Sequence, residues 1–549
     1  MKNKFLVIVG GVLVTLSLTA CEYFLPFFGS SSSNEGGYSY RPVTSETVSI
    51  PSEYENTSYP KAEITAQSAS CVYEDYIKHS VYHTSATPSD GDANILIIPV
   101  WFNNSSNFIA ESSKDKVRSD IHDVYFGSDI VTGWKSVKTY YEEESFGTLT
   151  LEGTVSDWYS VDKSYTYYAT NSNRTISLVK EATDWYFNTK TEEKRTDYDC
   201  DKDGYLDGVM IIYGAPDYPA LGNDSYSNLW AYCYWTQEPQ YQSVTNPCVN
   251  AFFWASYDFM YGSNVVASRT GKMTSYASGD TRNCNLDAHT YIHEMGHMFG
   301  LEDYYDYSDN GYSPAAGFSM QDCNVGGHDP FSSYALGWGK AYVPTESMTI
   351  SLKPFATSGE MIVLSPNWNE YNSAFDEYLI LEYYTPTGLN AFDVNHKYQN
   401  RYPTGSKISG IRLWHVDARL LYVTAYDSDF VATQITTNPK NSLYGYALMM
   451  GNTYDDGAEE TEGYLSPLGA SYANYNLLQL IRNSKSVNYK PTDSFSSSSL
   501  FGIGSYFDMG DYSRQFVHSG KLNSGKDLGY SFIVDGITSN EATITVIKK

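Results

Sequence analysis

Two continuous hydrophobic runs mark the first half of the chain. The first is ANILIIPVWF, residues 93–102, and the second is GVMIIYGAP, residues 208–216. Short apolar runs bounded by turn-forming residues are typical of strands buried on both faces of a sheet. Residues 135–146 and 173–187 have helical spacing, whereas residues 149–155 alternate as a strand does. The pattern predicts a domain of mixed α and β structure.

The pattern changes after Trp338. Short alternating runs such as SMTISLKPF, EYLILEYY, GIRLWHVD and ATITVIKK follow one another, separated by clusters of turn-forming residues. Such spacing favours an all-β arrangement. We therefore predict a β-rich, sandwich-like C-terminal region over residues 341–549, with one isolated helix at residues 475–483.

The N-terminus has the features of an export signal. Lys2 and Lys4 precede an apolar run that ends in Leu18-Thr19-Ala20-Cys21, which resembles a bacterial lipoprotein signal and is short for a membrane-spanning helix. We predict a signal peptide at residues 1–21 with lipidated Cys21, a low-complexity tether at 22–60 and a lead segment at 61–92. The chain would then be extracytoplasmic and lipid-anchored to a bacterial membrane.

The amino-acid composition excludes some classes of protein. The 549 residues suit two or three domains, and 64 acidic against 36 basic residues give a net charge of −28. So acidic a chain is a poor partner for nucleic acid, because phosphate binding needs a basic surface. Besides Cys21 there are six cysteines, which suit either up to three disulfides or free buried thiols.

The stretch HEMGHMFGLEDYYD, residues 293–306, carries the clearest chemistry. Asp287 as N-cap and Gly300 as a stop predict a helix, on which His293 and His297 lie one turn apart on the same face. Two such imidazoles can bind zinc, and Glu294 beside the first can act as general base on a water that the metal activates. His289, one turn earlier, lies too far along the helix to join them.

A catalytic zinc also needs a third protein ligand. Gly300 lets the chain turn back, and Asp303 follows six residues after His297. The result is H-E-x-x-H-x-x-G-x-x-D, the metzincin layout with aspartate in place of the third histidine. We predict His293, His297 and Asp303 as zinc ligands in a metallopeptidase domain at residues 93–340, with a zincin-like, metzincin-like α+β fold.

A second metal is suggested by the acidic loop DYDCDKDGYLD, residues 197–207. It places Asp199, Asp201, Asp203 and Asp207 around Gly204, as at the start of an EF-hand loop, although Met210 stands where that loop has glutamate. The loop is therefore either a calcium site or a solvated acidic turn.

With these residues assembled, the chain resembles the immune inhibitor A-like family of secreted bacterial metalloproteases. The resemblance extends in order over residues 93–417 and includes SVKTYYEEESFGTLTLEGTVSDWY, DYDCDKDGYLDGVMIIYGAPD, FSMQDCNVGGHDPFSSYALGW, EYLILEYY and GIRLWHVD. It implies a zinc endopeptidase with His293 and His297 as ligands and Glu294 as base. Glu302 stands where the family often has proline, so the third ligand could also be Glu302, or a later glutamate such as Glu377 or Glu382.

The sequence thus predicts a zinc-dependent metalloendopeptidase that hydrolyses peptide bonds of extracellular proteins, and we expect a monomer. The alternative is a cell-surface adhesin or a module that binds glycans or proteins, in which the zinc site is structural or vestigial. The 52 tyrosines keep this alternative open, because surface tyrosines favour recognition.

Overall fold

A computed structural model describes most of the chain. The described residues are 5–9, 12–16, 48–55, 57–64, 86–129, 134–236, 238–261, 286–306, 313–366, 374–395, 403–419, 421–426, 432–436, 447–448, 452, 475–489, 491–492 and 496–549. Cys21, the predicted site of lipidation, lies outside them. None of the helices in this described part has the length and hydrophobicity that a membrane span requires.

The strands and helices agree with the predicted mixture of α and β structure. The strands, in chain order, are β1 Phe5–Val9, β2 Val12–Leu16, β3 Lys61–Glu63, β4 Gly91–Trp101, β5 Leu149–Val155, β6 Tyr159–Ser160, β7 Val209–Tyr213, β8 Tyr232–Trp235, β9 Ala251–Ser256, β10 Lys340–Tyr342, β11 Met348–Leu352, β12 Glu360–Leu364, β13 Glu377–Tyr384, β14 Gly410–Asp417, β15 Leu421–Tyr426, β16 Ala432–Thr436, β17 Ala447–Leu448, β18 Leu478–Ile481, β19 Tyr506–Asp508, β20 Tyr530–Ile537 and β21 Ala542–Lys548. The α-helices are Lys114–Phe126, Val137–Glu144, Tyr165–Tyr168, Ser172–Thr189, Tyr218–Leu221, His289–Met298, Pro330–Ala335, Phe355–Ser358 and Asn390–Asn395.

The chain divides into two compact units, Met1–Ala20 with Tyr73–Glu302 and Cys21–Val72 with Asp303–Lys549. This division differs from the boundary at residue 340 that the sequence suggests. It also assigns residues 48–55 and 57–64, predicted as tether and lead segment, to the second unit. The reason is that Val48 and Ile64 are buried in that unit's core, and β3 pairs in parallel with β11.

The first unit is built on a mixed sheet with the strand order β5-β4-β7-β9-β8, and β6 also pairs with β4. All of these pairings are parallel except that of β8 with β9. The two long apolar runs of the sequence are β4 and β7, the adjacent central strands, whose residues pack in one core with the helix Ser172–Thr189. A hairpin of β1 and β2 is also assigned to this unit.

The second unit contains two five-stranded sheets, β10-β12-β13-β14-β18 and β19-β20-β21-β11-β3. Residues of both sheets belong to a single hydrophobic core, which includes Ile350, Leu381, Leu413 and Phe532. β15 pairs with β16 and β17 in a small separate sheet. The predicted helix at residues 475–483 is wrong, because Leu478–Ile481 forms β18 and pairs with β14. A short apolar run fits a buried strand as well as a buried helix, so the hydrophobic pattern alone does not distinguish the two structures.

The cysteines in the described part of the chain are Cys200, Cys233, Cys248 and Cys323, and all of them are free thiols. Of the two alternatives that the sequence left open, the free thiol is therefore the one found at these four positions. Cys71 and Cys284 lie outside the described residues.

Candidate metal centre

Hydrogen bonds from other segments of the chain hold the helix His289–Met298, called here the histidine helix. Its N-cap is Ala288 rather than the predicted Asp287, although the Asp287 Oδ1 accepts a hydrogen bond from the backbone N–H of His289 at 2.9 Å. The Tyr141 hydroxyl donates to the Ile292 carbonyl at 2.6 Å. At the other end, the backbone N–H of Thr87 donates to the Met298 carbonyl at 2.8 Å. The histidines therefore stand on a rigid support.

The two histidines of the motif are close to each other, as one helical turn requires. Their ring centroids are 4.9 Å apart and the rings are perpendicular at 89°. Nδ1 of His297 lies 2.8 Å from the Leu301 carbonyl oxygen. A carbonyl oxygen can only accept a hydrogen bond, so Nδ1 must be the donor. This bond places the proton of the neutral ring on Nδ1 and leaves Nε2 as the atom that can bind a metal.

The chain reverses directly after the histidine helix. Gly300 has φ of +98°, a left-handed conformation that favours glycine, and the Leu301 N–H donates back to the Gly296 carbonyl. The reversal brings Asp303 to the histidines, because ligand atoms of His293, His297 and Asp303 all lie within 4.8 Å of one another. The cluster is a local feature of the chain, because His293 to Asp303 are eleven consecutive residues.

The donor set suits zinc. Two imidazole nitrogens and a carboxylate oxygen are among its usual ligands, and three protein ligands are the number that catalytic zinc sites use. Within the described ranges, no fourth histidine, cysteine, aspartate or glutamate joins the cluster. The Tyr305 hydroxyl donates to Oδ2 of Asp303 at 2.9 Å and so helps to orient this carboxylate.

Glu294 is buried, with 3% of its surface exposed, and it does not belong to the cluster of potential ligands. Its charge acts on two tyrosines and one cysteine, Tyr125, Tyr141 and Cys233. Burial raises the pKa of Tyr125 and of Tyr141 well above the ordinary value, and the charge of Glu294 raises both further. The same two causes, in the same order, raise the pKa of the Cys233 thiol. Because a buried charge is poorly screened by water, the Glu294 carboxylate interacts strongly with the groups around it.

The later glutamates considered as third ligands have other partners. Burial raises the pKa of Glu377, but a hydrogen bond and charge from His415 and the charge of Arg419 outweigh it and lower the pKa to about 2. His415 Nε2 lies 2.9 Å from Oε1 of Glu377. Glu382 accepts a hydrogen bond from Trp414 and pairs with Arg412 at 2.8 Å. Neither glutamate, nor Glu302, joins the two histidines among the described residues.

The acidic loop forms a second cluster of carboxylates. Ligand atoms of Asp199, Asp201 and Asp207 lie within 4.8 Å of one another, whereas Asp203 is not part of the group and accepts from the Tyr205 N–H. Burial raises the pKa of Asp207 to about 6, and burial and then the charge of Asp201 raise that of Asp199. The carboxylates also accept backbone N–H groups of the same loop, as an acidic turn without an ion would.

Several hydrogen bonds that hold the metal centre in place cannot be predicted from the sequence. The Tyr141 hydroxyl reaches Ile292 from 151 positions away, and the Thr87 N–H reaches Met298 from a different segment. The bond from His297 to Leu301 is local, but any residue at position 301 offers the same carbonyl. Only a three-dimensional structure can identify such contacts.

The site combines a helix that carries two histidines, a buried glutamate beside the first histidine, and an aspartate that a glycine turn brings to them. These are the features of a domain of the metallopeptidase class. Comparison with known families agrees with this class. Residues 95–323 match the family model of the immune inhibitor A peptidase M6 catalytic domain. The resemblance inferred from the sequence is therefore confirmed over residues 95–323. No curated protein matches the chain.

Proposed function

We propose that the chain is a zinc-dependent endopeptidase that hydrolyses peptide bonds of extracellular proteins. The observation that carries the proposal is the cluster of His293, His297 and Asp303 inside a segment that matches a peptidase family. His293 and His297 would hold zinc through ring nitrogens and Asp303 through a carboxylate oxygen. Zinc bound there would supply a Lewis acid that polarises the scissile carbonyl and acidifies a water.

The residues of the chain then perform the proton transfers. Glu294 would accept the proton of the attacking water and donate it to the leaving amine, because a carboxylate can serve as base and then as acid within one turnover. Its burial excludes competing water from the carboxylate. The Leu301 carbonyl keeps His297 in the tautomer that presents Nε2.

The experiment that tests this function is metal analysis of the purified chain together with an assay on denatured casein or gelatin. We expect about one zinc per chain, cleavage that stops when a chelator removes the metal, and recovery on addition of zinc. A chain that contains no zinc, or one that cleaves equally well after complete removal of zinc, would contradict the proposal.

The adhesin alternative lacks a specific observation in its favour. A purely structural zinc is usually closed by four protein ligands, often cysteines. The cluster found among the described residues has three ligands, none of them a cysteine. The β-rich second unit could serve to bind substrate in the peptidase as well.

The predicted export and lipid anchor belong to the same proposal. Lys2, Lys4 and Cys21 would direct the chain to the outer side of a bacterial membrane and attach it there through one lipid-modified cysteine. The net charge of −28 suits a protein surrounded by extracellular cations rather than one bound to nucleic acid.

Calcium at the acidic loop is a further part of the proposal. The raised pKa values of Asp199 and Asp207 indicate carboxylates whose charge a cation would stabilise. Calcium at about 100 times its dissociation constant would add about 2.7 kcal/mol to the free energy of unfolding. For a unit of this size, this corresponds to a rise in melting temperature of about 5–10 °C.

Melting curves with calcium and with a calcium-selective chelator, at constant zinc, measure this effect. The rise should disappear in Asp201→Asn, which alters the cluster, and persist in the control Asp203→Asn, which lies outside it. Equal melting temperatures in both solutions would show that the loop is a solvated acidic turn.

A further inference from the structure

Five residues of the second unit form a closed ring of hydrogen bonds beside the third ligand. The ring consists of Tyr304, Gln321, Ser319, Asp329 and Ser332, and each of them is at most 2% exposed. Tyr304 is the residue that directly follows Asp303 in the chain. The family match ends at residue 323, so two of the five ring residues, Asp329 and Ser332, lie beyond it.

One half of the ring starts at the tyrosine side chain. The Tyr304 hydroxyl lies 2.8 Å from Oγ of Ser332, and this Oγ donates to Oδ2 of Asp329 at 2.7 Å. Because the single proton of Ser332 Oγ is directed at the carboxylate, the Tyr304 hydroxyl must be the donor in the first bond. Asp329 also caps the helix Pro330–Ala335 through the Ser332 N–H at 2.9 Å.

The other half starts at the tyrosine backbone. The Tyr304 N–H donates to the Gln321 carbonyl at 2.8 Å, and the Gln321 N–H donates to Oγ of Ser319 at 3.3 Å. Oγ of Ser319 donates in turn to Oδ2 of Asp329 at 2.9 Å. Both halves therefore end on the same buried carboxylate oxygen.

The Tyr304 carbonyl is held as well, by a residue outside the ring. Nδ2 of Asn452 donates to it at 2.6 Å and also to the Leu478 carbonyl at 2.8 Å, while the Leu478 N–H donates to Oδ1 of Asn452 at 2.9 Å. Leu478 is the first residue of β18. The N–H, the carbonyl and the hydroxyl of Tyr304 are thus all fixed, the carbonyl to a sheet.

We propose that this ring positions Asp303 as a metal ligand, and that Tyr304 and Ser332 are positioning residues of the zinc centre. A residue whose backbone is fixed on both sides fixes the Cα of its neighbour, and hence the origin of the Asp303 side chain. Hydrogen bonds beyond the ligands themselves commonly contribute about 10–100-fold to metal affinity. The inference rests on the proposed function, since it needs zinc to bind at the cluster.

The test measures the zinc dissociation constant by competition with a chelator, together with the melting temperature of the metal-free chain. We expect Tyr304→Phe and Ser332→Ala each to weaken zinc binding by about tenfold. The double variant should be little weaker than either single variant, because both remove the same hydrogen bond.

A matched control separates positioning from general stability. Tyr530 is also buried in the second unit, and its hydroxyl donates to the Pro344 carbonyl at 2.9 Å. Tyr530→Phe should lower the melting temperature of the metal-free chain about as much as Tyr304→Phe does but leave the zinc dissociation constant unchanged.

The outcomes are distinguishable. If the parent chain binds zinc but Tyr304→Phe and Ser332→Ala both bind it as tightly, or if Tyr530→Phe weakens it equally, the ring has no positioning role. If Asp303→Asn binds zinc as tightly as the parent, Asp303 is not the ligand and the inference falls while the peptidase proposal stands. A parent chain that binds no zinc overturns both.

Discussion

Replacing Glu294 by glutamine should strongly reduce peptide hydrolysis while leaving the fold and the zinc content intact. The amide has nearly the shape of the carboxylate, but it cannot accept a proton from water at neutral pH. General base catalysis contributes about 10²–10⁴-fold to the rate, so we expect kcat to fall by that factor and KM to change little.

Three measurements check this result: kcat and KM on a fluorogenic peptide, zinc per chain, and the melting temperature. Glu152→Gln serves as a control, because Glu152 is a glutamate of the same unit whose side chain is 65% exposed. Hydrolysis by Glu294→Gln at the rate of the parent would remove Glu294 from the mechanism. A loss of zinc in this variant would mean that the carboxylate supports the metal instead.

Replacing His297 by alanine should remove zinc and activity together. His297 would contribute one of three protein ligands. Loss of a hydrogen bond to a ligand weakens metal binding about 10–100-fold, and we expect loss of the ligand itself to weaken zinc binding more than that. Metal analysis after dialysis against a weak chelator and the peptide assay both measure the effect.

His289 provides the control on the same helix. It is buried, with 5% of its surface exposed, and lies outside the cluster of ligand atoms. His289→Ala should therefore retain zinc even if it lowers the melting temperature. Zinc retained by His297→Ala, or zinc lost equally by both variants, would contradict the assignment of His297.

The parts of this molecule that the sequence predicted are those set by local patterns. The apolar runs became β4 and β7, because a strand buried on both faces is hydrophobic throughout. The histidine helix and its glycine turn followed from helical periodicity and from the freedom of Gly300 to adopt positive φ. The contact between His293, His297 and Asp303 needs only eleven residues of chain.

The parts that it did not predict depend on pairing between distant segments. Residues 48–64 are polar and rich in turn-forming residues, and only the partner strand β11 makes Lys61–Glu63 a strand. The hydrogen bonds of Glu377 with His415, and of Tyr304 with Ser332 and Asn452, likewise join residues that no local pattern relates. Such contacts form only because the fold brings distant segments of the chain together.

The place of β3 has a practical consequence for work with the soluble protein. β3 forms the border of its sheet next to β11. Any version of the chain trimmed to begin after residue 64 would lose this strand and expose the hydrogen-bonding groups of β11 to other molecules. Unprotected sheet borders promote self-association, so trimming the first 64 residues as a dispensable leader invites aggregation.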